Sequence, residues 1–263
     1  MSGFDKDWLA LREPADHAAR HAGLVGSLAT HLAKRQTRSI MDIGCGTGST
    51  WRGLNSRLPG IDWLLLDYDE TLLKEASRRI GTDNRVRFRQ HDLNDLDGLP
   101  LEGIGVMTAS AVFDLCSEDF CRAVADRLAA SGTGLYAALN YDGIMRWSVT
   151  HPLDEQMVGF FNDHQRTDKG FGRALGPDAT DCLVRVFKAN GFDVKVEDSP
   201  WVLDATFGDL QRELLKGLRQ PILEISATAE DRVDEWLAYR MDAITKPGSS
   251  CRVGHTDLLA LPA

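Results

Sequence analysis

One glycine-rich segment of the sequence, SIMDIGCGTGST, has the composition of a loop that binds a small molecule. Its notable positions are Asp42, Gly44, Gly46 and Gly48. Glycine between a strand and a helix permits a tight turn and lets a ligand approach the backbone closely. The spacing is GxGxG, whereas dinucleotide sites have GxGxxG, and Asp42 would repel a pyrophosphate that no Lys or Arg of the loop could neutralise. The segment therefore favours a cationic ligand without phosphate over NAD.

Polar residues also stand where the next predicted strands end. Asp67 lies about 20 residues past the glycine loop, the spacing at which a carboxylate meets ribose hydroxyls. Asp92 is either a ligand of an adenine amino group, with the backbone of Leu93 at the ring edge, or an ordinary loop acid. Ser110 ends the fourth strand beside the expected ligand. Asp114 is either a substrate contact or a helix-capping acid.

The segments around these residues alternate between short apolar runs and amphipathic stretches. The runs that predict strands are residues 39–43, 61–66, 86–90, 103–109 and 134–139. Helices are predicted between them, with Asp69 and Ser117 as N-caps. Such an alternation predicts an α/β fold, a parallel sheet with helices on both faces. Apolar spacing of three and four residues predicts a single helix over 15–33 before the sheet, with Pro14 in its first turn.

Beyond residue 140 the alternation stops. Residues 141–175 show no clear period, and a segment of this length between elements usually has a function. A helix over 177–190 and a strand over 192–196 follow, and then two amphipathic helices. Residues 251–261 can supply a last strand.

Four motifs in this order resemble those of class I S-adenosylmethionine-dependent methyltransferases: DIGCGTG, LLLDYD, HDL and TASAVFDL. The resemblance covers roughly residues 15–140 and the strand GFDVKVED. It implies a Rossmann-like, doubly wound, mostly parallel seven-stranded sheet with helical cap insertions. It also implies one methyltransferase domain over residues 1–263, with a cofactor core at 15–140 and cap or substrate insertions at 141–176 and 200–248.

The resemblance assigns roles to residues of these motifs. The implied cofactor-binding set is Asp42, Gly44, Cys45, Gly46, Gly48, Asp67, Tyr68, Asp92, Leu93 and Ser110. In the family, the glycine loop holds the methionine end, the acid after the second strand binds the ribose, and the acid after the third strand binds adenine. S-adenosylmethionine carries an ammonium and a sulfonium but no phosphate, so an acidic loop suits it electrostatically.

Methyl transfer is an in-line displacement, so positioning and water exclusion dominate and a base is needed only for some acceptors. The candidates for that catalytic role are His164, His255 and Asp114, and each histidine could instead be structural. His164 lies near Arg166 and Lys169, which could bind an acid group of the substrate. No metal site is expected, because the five cysteines are scattered and form no CxxC pair.

Three residues near the N-terminus, Trp8, Arg12 and Arg20, could close over the site. One arginine would then reach the carboxylate of the cofactor, as residues before the first strand often do in the family. Ordinary pairing on the helix surface with Glu13 or Asp16 is the alternative.

The composition favours a small-molecule substrate. The net charge of −9 argues against nucleic acid and anionic membranes as partners, because both reward clustered Lys and Arg. The N-terminal residues lack a basic start and an apolar run, and no stretch approaches the length of a membrane helix, so a cytoplasmic location is expected. The oligomeric state stays open.

Three other functions compete with methyl transfer. An NAD-dependent oxidoreductase is disfavoured by the glycine spacing and by Asp42. A non-catalytic, methyltransferase-like binding or regulatory protein is disfavoured by the intact glycine loop and Asp67, although the fold alone permits it. An aminopropyltransferase that uses a decarboxylated cofactor is opposed only by the lack of a resemblance.

Overall fold

Eight strands of the computed structural model form one sheet, in the order β3-β2-β1-β4-β5-β8-β6, with β7 paired to β8. The structure describes residues 5–35, 37–228 and 230–263. The strands are β1 (Ser39–Ile43), β2 (Asp62–Asp67), β3 (Val86–Gln90), β4 (Val106–Ser110), β5 (Gly134–Trp147), β6 (Phe192–Asp198), β7 (Trp201–Leu203) and β8 (Cys251–Pro262). Among them only β8 runs against the common direction.

The Rossmann-like, mostly parallel sheet confirms the predicted fold class, but the predicted number of seven strands is wrong. The additional strand is β7, which spans three residues and pairs only with β8. A strand this short shows no alternation of its own in the sequence, and it forms because β8 is long enough to hold both β6 and β7.

Helices cover both faces of the sheet. They are α1 (Lys6–Ala19), α2 (Ala22–Lys34), α3 (Ser49–Leu54), α4 (Glu70–Ile80), α5 (Glu118–Ser131), α6 (Asp154–Gln165), α7 (Ala179–Ala189), α8 (Gly208–Ile225) and α9 (Glu230–Ala243). Neighbouring residues of β1 enter different cores, Ile40 on the face of α2 and Met41 on the face of α5 and α7. Burial on both faces explains why the parallel strands read as continuous apolar runs.

Two helix starts predicted from the sequence have the expected caps. The Asp69 carboxylate accepts the amide of Thr71 at 2.7 Å, and the Ser117 hydroxyl accepts the amide of Phe120 at 3.2 Å. Each side chain satisfies an amide that has no partner within its helix.

The predicted single helix over residues 15–33 is wrong. The chain forms α1 and α2 instead, with Pro14 inside α1 and a break at Arg20 and His21. At the break, the amide of His21 donates to the carboxylate of Asp257 at 2.9 Å. This partner lies 236 residues away, so helical spacing alone could not reveal the break.

The segment after residue 140 is more regular than the sequence indicated. β5 continues to Trp147 through two irregular registers, and α6 follows. A third core joins this region to the late helices, with Met157 of α6, Leu215 of α8 and Trp236 of α9 among its buried members. The division into a core and cap insertions stays a prediction, since 141–147 and β7 are part of the sheet. No helix among the described residues is both long and apolar enough to cross a bilayer.

A buried ion pair joins α9 to the start of α6, and we expect it to support this third core. The side chain of Arg240 is fully buried, bonds Asp154 at 3.1 Å and donates to the carbonyl of Val149 at 2.6 Å. Arg240→Ala leaves the Asp154 carboxylate without its charge partner and should lower the free energy of unfolding by about 3–5 kcal/mol. Urea unfolding measures this loss.

The control is Arg219→Ala, which removes an exposed pair with Asp234 and should change stability little. An equal loss in both variants would show that the Arg240 pair has no special structural role.

Candidate active site

A cavity of about 410 Å³ opens at the edge of the sheet where β1 to β4 end. Its walls come from α1, the ends of these strands, the start of α4 and the segment after α6. The lining residues are Leu9, Arg12, Gly44, Asp67, Tyr68, Asp69, Glu70, Leu72, Gln90, Asp92, Leu93, Ser110, Ala111, Val112, Leu115 and Phe171. Open α/β sheets bind ligands at this carboxyl edge.

The turn after β1 is held against β2 by hydrogen bonds. The amide of Gly46 donates to the Asp67 carboxylate at 2.8 Å, and the amide of Cys45 donates to the carbonyl of Leu66 at 2.9 Å. Gly44 and Gly46 have φ of 58° and 54°, a backbone conformation that residues with a Cβ rarely adopt. A Cβ on Gly44 would also lie 3.1 Å from the side chain of Val112. Glycine therefore keeps both the turn and the adjacent cavity open.

Asp67 joins the turn after β1 to the ligand cavity. One carboxylate oxygen accepts Gly46, and the other accepts the amide of Asp69 at 2.9 Å. Burial raises the pKa of Asp67, while these amides counteract the rise. Beside it, Tyr68 keeps 60% of its surface exposed, so its ring is free to cover a flat ligand at the cavity mouth.

The two residues predicted to contact adenine, Asp92 and Leu93, follow the end of β3. Asp92 is exposed on the cavity rim, where its carboxylate accepts the amide of Asn94 at 2.9 Å. Leu93 is buried and also lines the cavity. The structure thus brings Asp67, Tyr68, Asp92 and Leu93 to one cavity, together with Gly44 and Ser110.

A pair of buried charged residues, Asp42 and Arg20, lies close to the turn but is not among the residues that line the cavity. Asp42 accepts the Thr108 hydroxyl at 2.6 Å, its other oxygen has no partner among the described residues, and burial raises its pKa to about 7. Arg20, 6% exposed, donates through Nη2 to the hydroxyls of Thr50 at 3.3 Å and Ser110 at 3.2 Å. Its Nε and Nη1 have no acceptor in the described part of the chain. A buried carboxyl and a buried guanidinium, each with atoms that lack a hydrogen-bond partner, suit a ligand that carries a positive and a negative charge.

Asp114 follows the cavity wall formed by Ala111 and Val112. Its Oδ1 is buried and finds no hydrogen-bond partner among the described residues. Burial raises the pKa of Asp114 to about 6, and the positive charge of Arg12 partly counteracts this. Ser117, and not Asp114, caps α5. Asp114 is therefore an acid with an unmet acceptor oxygen close to the cavity wall, although Asp114 itself is not among the lining residues.

Neither predicted histidine lines the cavity. His164 joins α6 to α8, because its Nε2 bonds Glu224 at 3.0 Å, while its Nδ1 meets Lys169 at 3.2 Å. His255 lies in β8 between the rings of Trp201 and Tyr141, and burial lowers its pKa to about 3. A base so weak accepts little proton at neutral pH. Packing explains both positions, and their catalytic roles stay predictions without a cavity contact.

Comparison with known proteins identifies the domain. Residues 40–132, from β1 through α5, match the family model described as a methyltransferase domain. Residues 40–132 thus form a methyltransferase domain. Such domains use S-adenosylmethionine, in agreement with the predicted cofactor, and the match agrees with the predicted family. Comparison with curated proteins gives no match.

Solved structures agree with the class I methyltransferase fold. The YcgJ protein of Bacillus subtilis has 13% sequence identity and a TM-score of 0.53, and covers 92% of this chain and 100% of its own. The BH2331 protein of Bacillus halodurans C-125 has 11% identity and a TM-score of 0.51, and covers 89% and 96%. At this identity the similarity establishes the fold.

Phosphoethanolamine N-methyltransferase 2 of Haemonchus contortus is another structural neighbour, with 16% identity and a TM-score of 0.47. The comparison covers 92% of this chain and 52% of the nematode chain. The chain thus spans about half the length of that neighbour.

Sequence reasoning missed several residues that line the methyltransferase cavity. Leu9 and Phe171 reach it from α1 and from the segment after α6. The predicted helix began too late to include Leu9, and Phe171 lies in a segment without a clear period. The apolar spacing of Trp8, Leu9 and Leu11 was the signal available for α1. Arg12 lines the cavity as expected, bonded to Asp16 at 2.9 Å.

Backbone strain at Ala111 in the methyltransferase cavity is open to test. Ala111 has φ of 54°, a left-handed conformation that costs a residue with a Cβ about 1–2 kcal/mol. Ala111→Gly removes that cost and should preserve or raise the free energy of unfolding. Ala109→Gly, in the regular part of β4, should lower it by about 1 kcal/mol. Equal losses in urea unfolding would contradict the strain.

Proposed function

We propose that this protein transfers the methyl group of S-adenosylmethionine to an oxygen or nitrogen atom of a small molecule. One observation carries the proposal: Asp67 is bonded to the Gly46 amide at the edge of a cavity lined by Tyr68 and Asp92. This arrangement offers a turn for the methionine end, a carboxylate for ribose hydroxyls and a rim for adenine. When bound, S-adenosylmethionine supplies an activated methyl group on its sulfonium.

The buried charged residues fit the amino acid end of that cofactor. The free oxygen of Asp42 can accept from an ammonium, and the free nitrogens of Arg20 can donate to a carboxylate. Both groups are desolvated, so such bonds are stronger there than at the surface. The free oxygen of Asp42 and the free nitrogens of Arg20 belong to neighbouring groups, since the charge of Arg20 lowers the pKa of Asp42. This pairing supports a zwitterionic ligand and gives no comparable use for a pyrophosphate.

Part of the cavity wall is apolar and consists of Leu9, Val112, Leu115 and Phe171. Apolar walls exclude water and hold an acceptor close to the methyl group, which is the main requirement of the displacement. Arg12 is the basic side chain in this wall, and Asp114 lies behind it.

We assign the role of base to Asp114, for an acceptor that carries a hydroxyl or a protonated nitrogen. Its unpartnered Oδ1 can accept that proton as the new bond to the methyl group forms. The methyl group would come from the sulfonium of S-adenosylmethionine, and the neutral thioether would be the leaving group. With a pKa of about 6, the carboxyl is mostly ionised at neutral pH and still basic enough to take a proton.

Ligand binding tests the proposal directly. S-adenosylhomocysteine should raise the melting temperature of the protein, and NAD should leave it unchanged. Asp67→Asn should weaken binding of S-adenosylhomocysteine by about 10–100-fold, because it removes a charge-assisted acceptor. Asp62→Asn, an exposed acid at the start of the same strand, is the matched control and should bind normally.

Two results would contradict methyl transfer. Stabilisation by NAD alone would favour an oxidoreductase. Binding of S-adenosylhomocysteine without any methylated product, when the protein and S-adenosylmethionine are added to a metabolite extract, would favour a non-catalytic binding protein.

The role of Asp114 predicts a pH profile. Protonation of its carboxyl removes the base, so product formation from the extract should fall about tenfold per pH unit below pH 6. Asp114→Asn should reduce the rate about 10²–10⁴-fold and abolish this acid limb. Asp119→Asn, an exposed acid in α5, should retain both the rate and the limb. An acid limb that persists in Asp114→Asn would assign the titration to another group.

A further inference from the structure

A buried carboxylate in the last strand of the sheet bonds to two other segments of the chain, the break between α1 and α2 and strand β5. Asp257 in β8 is fully buried and does not line the cavity. Its Oδ2 accepts the amide of His21 at 2.9 Å and the hydroxyl of Tyr136 at 2.7 Å. Its Oδ1 accepts the amide of Leu139 at 2.9 Å. An asparagine could not replace it, because an amide nitrogen would face donors.

The first of these bonds fixes the break between α1 and α2. The amide of Arg20 still bonds Asp16 within α1, whereas the amide of His21 has left the helix. Both residues have extended backbones, with ψ of 129° and 112°. The carboxylate of Asp257 satisfies the His21 amide, which would otherwise lack a partner at a partly buried position. The extended turn leaves the Arg20 side chain between Thr50 and Ser110.

The bond to Leu139 supports strained backbone beside the cavity. Leu139 has φ of 55°, and the preceding residue, Ala138, accepts the amide of Ala111 at 3.0 Å. Ala111 is itself left-handed and follows Ser110 in the cavity wall. Strained residues persist where the surroundings determine them strongly, and Asp257 supplies one such determinant.

Electrostatics link the same carboxylate to Arg20. Burial lowers the pKa of Arg20, but its neighbours Tyr136, Asp257 and Asp16 together more than offset this effect. The guanidinium therefore stays charged although it is buried and two of its nitrogens lack partners. A fixed cation with free donors is suited to a carboxylate ligand.

We propose that Asp257 is a positioning residue that holds the Arg20 guanidinium toward the carboxylate of the cofactor. This inference rests on the proposed function, since it assumes that the cavity binds S-adenosylmethionine. It gives the last strand a role in cofactor selection, although no side chain from that strand lines the cavity.

Two ligands that differ only by a carboxylate test the proposal. S-adenosylhomocysteine has the carboxylate, and S-adenosyl-3-thiopropylamine lacks it but retains the amine, the thioether and the adenosine. Isothermal titration should show that the unaltered protein prefers S-adenosylhomocysteine by at least about tenfold. In Arg20→Met and Asp257→Asn this preference should fall close to one, while the affinity for the thiopropylamine changes only a few-fold.

Two further variants complete the design. Asp193→Asn, an exposed acid in the neighbouring strand β6, should keep the full preference. Tyr136→Phe removes one donor to Asp257 and should lower the preference in the same direction but by less. It replaces Asp257→Asn as the decisive variant if that protein does not fold.

The outcomes separate the two hypotheses. Failure of the unaltered protein to bind either ligand would contradict the proposed function. Equal binding of both ligands would leave that function intact and overturn the carboxylate role of Arg20, and with it the inference. If Arg20→Met loses the preference but the Asp257 or Tyr136 variant keeps it, the positioning role alone is wrong. An equal loss of affinity for both ligands in Asp257→Asn would indicate a merely structural role.

Discussion

The hydrogen bond from the Gly46 amide to Asp67 joins the turn after β1 to the end of β2. The rest of the site depends on this bond, because it fixes the turn beside the cavity while Asp67 remains part of the cavity wall. The parallel pairing of β1 with β2 brings the two residues together. Gly46 has a positive φ, and its amide donates to the carboxylate of Asp67. A ligand that meets this edge finds its polar contacts already oriented, at little cost in chain entropy.

A set of buried charged residues forms a second layer of organisation. Asp42, Arg20 and Asp257 are each nearly inaccessible to water, and burial of this kind is costly unless partners satisfy the groups. Asp257 has three donors, whereas Asp42 and Arg20 keep unmet atoms. The contrast separates a carboxylate that holds the fold from two groups that have capacity for a ligand. Such capacity lowers stability and is retained where binding benefits from it.

The cavity is lined by residues inside and outside the range of the family model. The family model covers residues 40–132, which include the glycine turn, Asp67, Asp92 and Asp114. Leu9, Arg12 and Phe171 also line the cavity but lie outside that range. Shared and individual lining residues are what is expected when one fold serves many substrates.

The sequence by itself determined the elements around the glycine turn, because their signals are local. The bounds of β1 and β3, the caps Asp69 and Ser117, and the glycine turn depend on residues a few positions apart. The tertiary structure alone decided the features that depend on distant partners. Asp257 breaks the N-terminal helix across 236 residues, β7 exists because β8 extends far enough to pair with it, and His164 meets Glu224 of α8 instead of the cavity. The physical reason is that periodicity and capping report neighbours along the chain, whereas burial and buried hydrogen bonds depend on which segments pack together.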